Sequence, residues 1–267
     1  MRIRASASAA ILAAVAIAAC GGTEPGSAPG DAMSPGTPSA TTSPSAAPAI
    51  EVPPVDGPND WEIDPANFVE GVDNPYFPLT PGTALVYEGS SDGEREVVTV
   101  RVTARTKEIL GITAVVVRDT VRIAGEIHED TFDWYAQDVD GNVWYLGEDT
   151  KEYQDGKVAS TAGSWEAGVD GALAGVIMPA DPVEGLAYTQ EHYAGEAEDK
   201  GRILRLGEHR TVPAGSYGDV LVTEDWTPLE PGVREQKHYA PGVGVVFEEL
   251  VRGGESVLRL VEIRSAS

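Results

Sequence analysis

Apolar side chains recur at every second position in several segments after about residue 83. In Glu94–Thr106 one face carries Val98, Val100, Val102 and Ala104. In Ile112–Ile123 one face carries Val115, Val117, Val121 and Ile123. A period of two, with many β-branched residues, is typical of strands with one buried side. Turn residues such as Asp92-Gly93 and Ala124-Gly125 separate these segments, which predicts antiparallel hairpins.

Strands are predicted along most of the chain from residue 83 onwards. The segments are Thr83–Gly89, Glu94–Thr106, Ile112–Ile123, Ile127–Gln137, Val143–Glu148, Leu186–Tyr193, Ile203–Glu208, Asp219–Asp225, Arg234–Ala240, Val243–Val251 and Ser256–Arg264. About ten strands in one twisted sheet tend to curl or close. We therefore predict an all-β fold, a single strongly curved antiparallel sheet or incomplete barrel of about ten strands. The alternative is a two-sheet β-sandwich.

One long segment, Asp149–Gly185, has weak periodicity and is expected to be a loop. Long loops in compact domains are often functional. The alternative, which is favoured, is a structural plug, in which Trp165 and neighbouring apolar residues fill one end of a barrel.

The N-terminus has the features of an export signal. Arg2 and Arg4 precede an apolar run from Ala9 to Ala19, and the only cysteine, Cys20, follows directly. The run is shorter than the roughly 20 residues that span a membrane. This arrangement resembles the lipobox of bacterial lipoproteins. The resemblance implies cleavage after residue 19 and a diacylglycerol on Cys20.

Composition separates a tether from a folded domain. Residues 20–60 are rich in Gly, Ser, Thr, Ala and Pro and contain no Lys or Arg. Such a segment cannot bury enough apolar area to offset its ordering entropy, so we expect a lipidated, disordered tether. The expected domains are thus a signal peptide at 1–19, the tether at 20–60 and a β-rich extracytoplasmic domain at 61–267.

The chain is strongly acidic, with a formal net charge of −24. This charge excludes nucleic acid as a partner, because phosphate recognition needs Lys and Arg. With Cys20 acylated, no thiol remains for a disulfide or a catalytic cysteine. An acidic surface keeps an exported protein soluble, although it is also compatible with cation binding.

Three predicted strands repeat a charged residue and a tyrosine two positions apart. The pairs are Asp133 with Tyr135, Glu191 with Tyr193, and Lys237 with Tyr239. If these faces point inward, the pairs converge on a ligand site or a buried ion network, with Trp165 from the long loop as a further contact. If they point outward, they are ordinary cross-strand pairs. The outward or purely structural interpretation is favoured.

A candidate calcium site lies at Asp138, Asp140 and Asn142, whose oxygen ligands alternate. The loop lacks the glycine and the glutamate that an EF-hand requires at its sixth and twelfth positions. Asp-Gly between two alternating strands is a hairpin signal. A hairpin turn is therefore favoured, no cofactor is expected, and Ca²⁺ is kept as the alternative.

Catalytic signatures are incomplete. Ser164 and Ser216 both follow a glycine, but neither completes Gly-x-Ser-x-Gly. The four histidines show no metal-binding spacing. A non-enzymatic protein is favoured.

Four stretches resemble a family of secreted bacterial proteins and lipoproteins with no assigned biochemical function. They are Asn74–Leu79 (NPYFPL), Asp133–Glu148 (DWYAQDVDGNVWYLGE), Gly163–Ala172 (GSWEAGVDGA) and His238–Val245 (HYAPGVGV). The resemblance implies a single exported domain and supplies no catalytic residues.

The sequence thus predicts a lipoprotein held on the extracytoplasmic face of the cell membrane through acylated Cys20. We expect a module that scaffolds or that binds a small-molecule or lipidic ligand. The alternative is an envelope enzyme or a Ca²⁺-binding protein that uses a carboxylate cluster.

Overall fold

The computed structural model describes residues 50–265. The signal segment, Cys20 and most of the expected tether lie outside the described residues. Among residues 50–265 the only helical element is a 3₁₀ turn at Pro65–Asn67. No helix in this part of the chain is long and apolar enough to cross a membrane.

Sixteen strands account for the domain. They are β1 (Phe68–Val69), β2 (Ala84–Ser91), β3 (Glu94–Ile109), β4 (Ile112–Ile123), β5 (Glu126–Asp138), β6 (Val143–Gln154), β7 (Lys157–Ser160), β8 (Trp165–Glu166), β9 (Leu173–Met178), β10 (Ala187–Thr189), β11 (Glu191–His192), β12 (Lys200–Val212), β13 (Gly215–Trp226), β14 (Arg234–Ala240), β15 (Gly244–Arg252) and β16 (Ser256–Arg264). The predicted all-β fold is confirmed, with more strands than expected.

The strands form two antiparallel meanders joined edge to edge. Neighbours in the chain pair from β2 to β6 and from β12 to β16, and β16 pairs with β2. The full path runs β10-β12-β13-β14-β15-β16-β2-β3-β4-β5-β6-β9-β11. These 13 strands turn through 318°, so the sheet is nearly closed into a barrel, as the predicted curved sheet or incomplete barrel requires.

The chain itself bridges the two edges of this sheet. β10 lies at one end of the path and β11 at the other, and only Gln190 separates them in sequence. The backbone N–H of Gln190 donates to the carbonyl of Asp199. A Cβ on Gly175 in β9 would collide with the backbone of Thr189 and Gln190, so glycine is needed where the edges approach.

The expectation of a loop at 149–185 is wrong for much of that segment. β6 continues to Gln154, and β7, β8 and β9 all form within it. β9 shows no alternation because five of its six residues are buried, which removes the period-two signal. The predicted strand Leu186–Tyr193 is instead divided into β10 and β11, which pair with opposite edges of the sheet.

The segment 50–60, assigned to the tether from composition, contacts the barrel. Ile50 and Val52 pack against the main hydrophobic core, and Pro53 is buried. Thr189 donates through its backbone N–H to the carbonyl of Pro53 and through its hydroxyl to that of Pro54, at 2.8 and 2.7 Å. Amino-acid composition does not indicate these hydrogen bonds, because main-chain carbonyls, which every residue carries, accept them.

Candidate ligand-binding cavity

A cavity of about 80 Å³ lies inside the barrel. It is lined by residues of β2, β3, β4, β5, β9, β14 and the start of β15, together with the segment before β2. One water occupies roughly 10–15 Å³ of such a space, so the cavity holds about five waters or a small organic group.

Most of the cavity wall is apolar. Half-buried side chains near its opening include Phe77, Leu85, Val100, Val243 and Val245. Phe77 is held in place through Asn74, whose backbone N–H and side-chain amide donate to the side-chain oxygen of Gln137 and to the carbonyl of Gly141. The Phe77 ring meets Tyr135 edge-on with centroids 5.1 Å apart. These residues form a hydrophobic entrance.

The deeper part of the cavity is polar and charged. Asp119, Asp133 and Lys237 line it, and all three are almost fully buried. The phenols of Tyr87, Tyr135 and Tyr239 line the same space. Charges without access to water must be neutralised by partners or by a change of protonation.

Lys237 belongs to the first of two groups of buried charges. Its Nζ lies 3.2 Å from Asp225 and 3.1 Å from Glu235, and Glu248 is the cross-strand neighbour of Lys237. Burial lowers the pKa of Lys237, but Glu235, Asp225 and Glu248 outweigh it and hold the pKa well above its ordinary value. We call Lys237, Asp225, Glu235 and Glu248 the lysine cluster.

The second group contains no cation. The Tyr145 hydroxyl lies 2.8 Å from Asp133 Oδ1 and 2.9 Å from Glu148 Oε2. A phenol has one proton, so when it donates to Asp133, Glu148 must be protonated and donate to the phenol oxygen. Glu191 accepts one from the Trp165 indole at 2.6 Å. We call Asp133, Glu148 and Glu191, with these two donors, the neutral-donor cluster.

Burial shifts the acids of the neutral-donor cluster strongly. It raises the pKa of Asp133 to about 7, although the hydrogen bond from Tyr145 opposes the shift. Burial and the neighbouring carboxyls Glu191 and Asp133 raise the pKa of Glu148 well above its usual range. Burial and Asp199 do the same for Glu191. These carboxyls therefore retain protons near neutral pH.

Asp119 lies on the otherwise apolar inward face of β4, close enough to Asp133 of the neutral-donor cluster to interact with it. Burial, together with Asp133 and Glu129, raises the pKa of Asp119 well above its usual range. Its Oδ1 has no hydrogen-bond partner. A buried acceptor without a partner costs about 1–3 kcal/mol, which is the mark of a position that another group can fill.

The favoured outward orientation of the charged faces is wrong. Asp133, Tyr135, Glu191, Lys237 and Tyr239 are all at most 5 % exposed. Their strands are not neighbours in the sheet, but its closure directs their shared face into one interior. A purely structural role for this network remains the alternative to a ligand site.

Trp165 and Tyr193, two further predicted site residues, differ in burial. Trp165 is buried beside Tyr145, with ring centroids 5.4 Å apart. Tyr193 follows β11 and is only partly buried, with an isolated bridge to Ala197. Neither Trp165 nor Tyr193 lines the cavity, and Glu191 does not line it either.

Sequence reasoning did not single out Asp119, Glu148, Asp225 or Glu248. For Asp119 a signal was present, because it occupies an inward position between Val117 and Val121 in the alternating series of β4. For Glu248 the same kind of signal was present, because it lies between Val246 and Leu250 at every second position of β15.

The candidate calcium residues form a hairpin turn. Asp138 Oδ1 accepts the backbone N–H groups of Asp140, Gly141 and Asn142, and its Oδ2 accepts the Asn142 amide and the Trp144 indole. Asp140 accepts the backbone N–H of Ile50. Within residues 50–265, no group of three or more His, Asp or Glu residues is arranged to hold a metal ion.

No protein-family model and no curated protein matches this chain. A solved structure from Bacteroides fragilis NCTC 9343, described as an exported protein with a YmcC-like fold, is 19% identical and covers 71% of this chain and 99% of its own length, with a TM-score of 0.43. A protein of Parabacteroides distasonis ATCC 8503, described as a lipoprotein, is 15% identical and covers 72% of this chain and 99% of its own, with a TM-score of 0.41. Neither likeness is close enough to support an inference about this chain.

Proposed function

We propose that this protein is a membrane-anchored extracytoplasmic lipoprotein that binds a small organic ligand in the interior of its β-barrel. The observation that carries the proposal is the cavity, which combines an apolar entrance with a buried polar end. Ligand sites have this composition, apolar walls with a few convergent polar groups that fix orientation.

The energetic cost of the cavity supports the same proposal. An unfilled space costs stability in proportion to its volume, and unpartnered polar groups beside it add to that cost. A barrel with only a scaffolding role gains nothing from such a space, because apolar side chains of the right volume would fill it more stably.

Ligand binding is tested by filling the entrance. Leu85 lines the cavity and is half-buried, so Leu85→Trp should block the opening with little damage to the fold. The matched control is Val158→Trp, on an exposed position of β7. Native mass spectrometry of protein purified from its own host should show a bound small molecule in the wild type and the control, and none in Leu85→Trp. A wild-type protein with no adduct would contradict the proposal.

The anchor rests on the lipobox-like sequence before Cys20 and is tested separately. Cys20→Ser should release the protein from the membrane fraction or leave its precursor uncleaved. Ala18→Gly, which keeps a small residue before the cut, is the control and should behave as wild type. Normal maturation and membrane association of Cys20→Ser would refute the lipoprotein assignment.

A further inference from the structure

We propose that the ligand is a small organic amine, whose ammonium group binds Asp119 at the polar end of the cavity while its hydrocarbon part contacts the apolar entrance. This inference rests on the proposed function and adds the chemical class of the ligand. It is carried by two independent features of the interior, namely the balance of its charges and the unpartnered acceptor on Asp119.

The balance of buried charges favours a cation. Eight acidic side chains are buried in the barrel interior: Glu96, Asp119, Glu129, Asp133, Glu148, Glu191, Asp225 and Glu248. Among the described residues, Lys237 is the one buried lysine. An ammonium can therefore replace a proton that one of these acids otherwise retains, whereas an added carboxylate would meet only further acids and a lysine that is already paired.

Lys237 is not available to receive an anionic ligand. Its Nζ contacts Asp225 and Glu235, at 3.2 and 3.1 Å, and Glu248 lies beside it. An anion at this ammonium would have to compete with carboxylates that the fold already holds there. The cation of the cavity is thus satisfied, and the unsatisfied group is an acid.

Within the cavity lining, Asp119 is the acid that remains; Glu96, Asp225 and Glu248 also have unpartnered oxygens but do not line the cavity. Asp119 lines the cavity, is 3 % exposed, and its Oδ1 has no hydrogen-bond partner. By contrast, Asp133, the other acid in the lining, accepts the Tyr145 hydroxyl. An ammonium supplies up to three N–H donors and a charge, so it would satisfy Asp119 and the nearby phenol oxygens together.

The size of the cavity sets the size of the ligand. A space of about 80 Å³ admits a head group and a few methylenes, with the remainder of the hydrocarbon against Phe77, Leu85 and Val245 at the entrance. A six-carbon chain is a suitable probe.

Three probes of one length separate the chemistry of the head group from that of the tail. We would measure the Tm of the purified mature protein, at constant ionic strength and pH 7, with n-hexylamine, 1-hexanol and sodium hexanoate. Hexylamine at ten times its Kd should raise Tm by about 3–5 °C. Hexanol should shift Tm less, and hexanoate should not shift it.

Asp119→Asn identifies the group that binds the ammonium. Burial and neighbouring acids raise the pKa of Asp119 well above its usual range, and Asn is the neutral isostere of the protonated acid. The variant should fold, lose at least tenfold in hexylamine affinity and keep its response to hexanol. The control Asp130→Asn changes an acid paired with Arg118 on the outer face of β5 and should leave hexylamine binding unchanged.

Two results would overturn the inference. One is stronger binding of hexanol or hexanoate than of hexylamine, which would leave the ligand-binding function intact and reassign the ligand. The other is hexylamine binding that Asp119→Asn does not weaken. Failure of all three probes, together with the absence of an adduct in native mass spectrometry, would remove the ligand-binding function as well.

Discussion

The lysine cluster and the neutral-donor cluster both contain buried acids in the interior of the barrel, yet these acids are stabilised differently. In the lysine cluster the Lys237 ammonium forms ion pairs with both Asp225 and Glu235. In the neutral-donor cluster, Asp133, Glu148 and Glu191 receive only a phenol and an indole N–H. In the first cluster Lys237 compensates Asp225 and Glu235, while burial and Glu235 raise the pKa of Glu248 well above its usual range. The second cluster contains acids and neutral donors, with no cation of its own.

This difference indicates how the molecule tolerates so many buried acids. A buried pair is costly to break, because the remaining partner keeps an uncompensated charge. A buried neutral acid carries no such charge, so replacing it with an amide of the same shape removes little. The two clusters should therefore respond in opposite ways to substitution, pH and salt.

The largest effect is expected from Lys237→Met. The change leaves Asp225 and Glu235 buried without their cation, and breaking a buried pair from one side typically costs roughly 3–5 kcal/mol. Urea denaturation measures it, with Lys157→Met as a control at an exposed position of β7. A loss below about 1 kcal/mol would show that the carboxyls simply take up protons, and the contrast between the clusters would collapse.

A large pH effect is expected in the opposite direction from ordinary acid denaturation. The folded pKa values of Glu96, Asp133 and Glu129 are raised to about 7, 7 and 8, so the folded state binds more protons than the unfolded state between pH 5 and 8. Stability is therefore highest near pH 4–5 and declines as pH rises through these values, by up to about 1.4 kcal/mol per pH unit for each carboxyl.

A variant of Glu129 tests whether this carboxyl contributes to the decline of stability with rising pH. Measured in 0.5 M NaCl to screen surface charge, Tm should fall from pH 5 to pH 8, and Glu129→Gln should flatten the decline. Glu126→Gln, at an exposed position of the same strand, should leave it unchanged. A Tm that rises across this range would mean that the buried acids are ionised and paired.

Removal of residues 50–60 tests whether this segment stabilises the part of the chain around β11, which carries Glu191. The carbonyls of Pro53, Pro54 and Val55 accept hydrogen bonds from Thr189 and Lys200, which flank β11 on either side in sequence. A chain that begins at Trp61 should lose roughly 1–3 kcal/mol, because these bonds contribute about 1 kcal/mol each and the freed segment regains entropy. A chain that begins at Ile50 is the control, and equal melting of the two would show that the contacts do not contribute.

Asp133→Asn should have a small effect at pH 5. Asp133 is then protonated, and an amide oxygen can still accept the Tyr145 hydroxyl. We expect a change of less than about 1 kcal/mol. A loss as large as that of Lys237→Met would place Asp133 in the charged class and contradict the distinction between the clusters.

The smallest effect concerns Asp140 and Ca²⁺. Asp138, next to it, is a third type of acid, whose five hydrogen bonds come from the turn itself and from Trp144. Millimolar Ca²⁺ should not change Tm beyond matched ionic strength, and Asp140→Ala should cost less than about 1 kcal/mol. A saturable Ca²⁺ shift that Asp140→Ala abolishes would restore the metal site.

The strand pattern was determined by the sequence alone. Alternation in β3 and β4 and the turns at Asp92-Gly93 and Ala124-Gly125, all four residues with positive φ, are local features that need no tertiary contact. The same is true of the curved sheet, which follows from many strands joined by short turns. β9, and the division of 186–193 into two strands, were not predictable, because burial on both faces and pairing with opposite edges leave no local period.

The site was decided by closure of the sheet. Sequence spacing put Asp133 with Tyr135 and Lys237 with Tyr239 on common faces, but period two does not say which face is inside. Only the turn of the sheet through 318° brings β4, β5, β11 and β14 around one interior and buries these charges together. The sequence determined which residues share a face, and the tertiary structure decided which face lost its water, because solvent exclusion depends on strands distant along the chain.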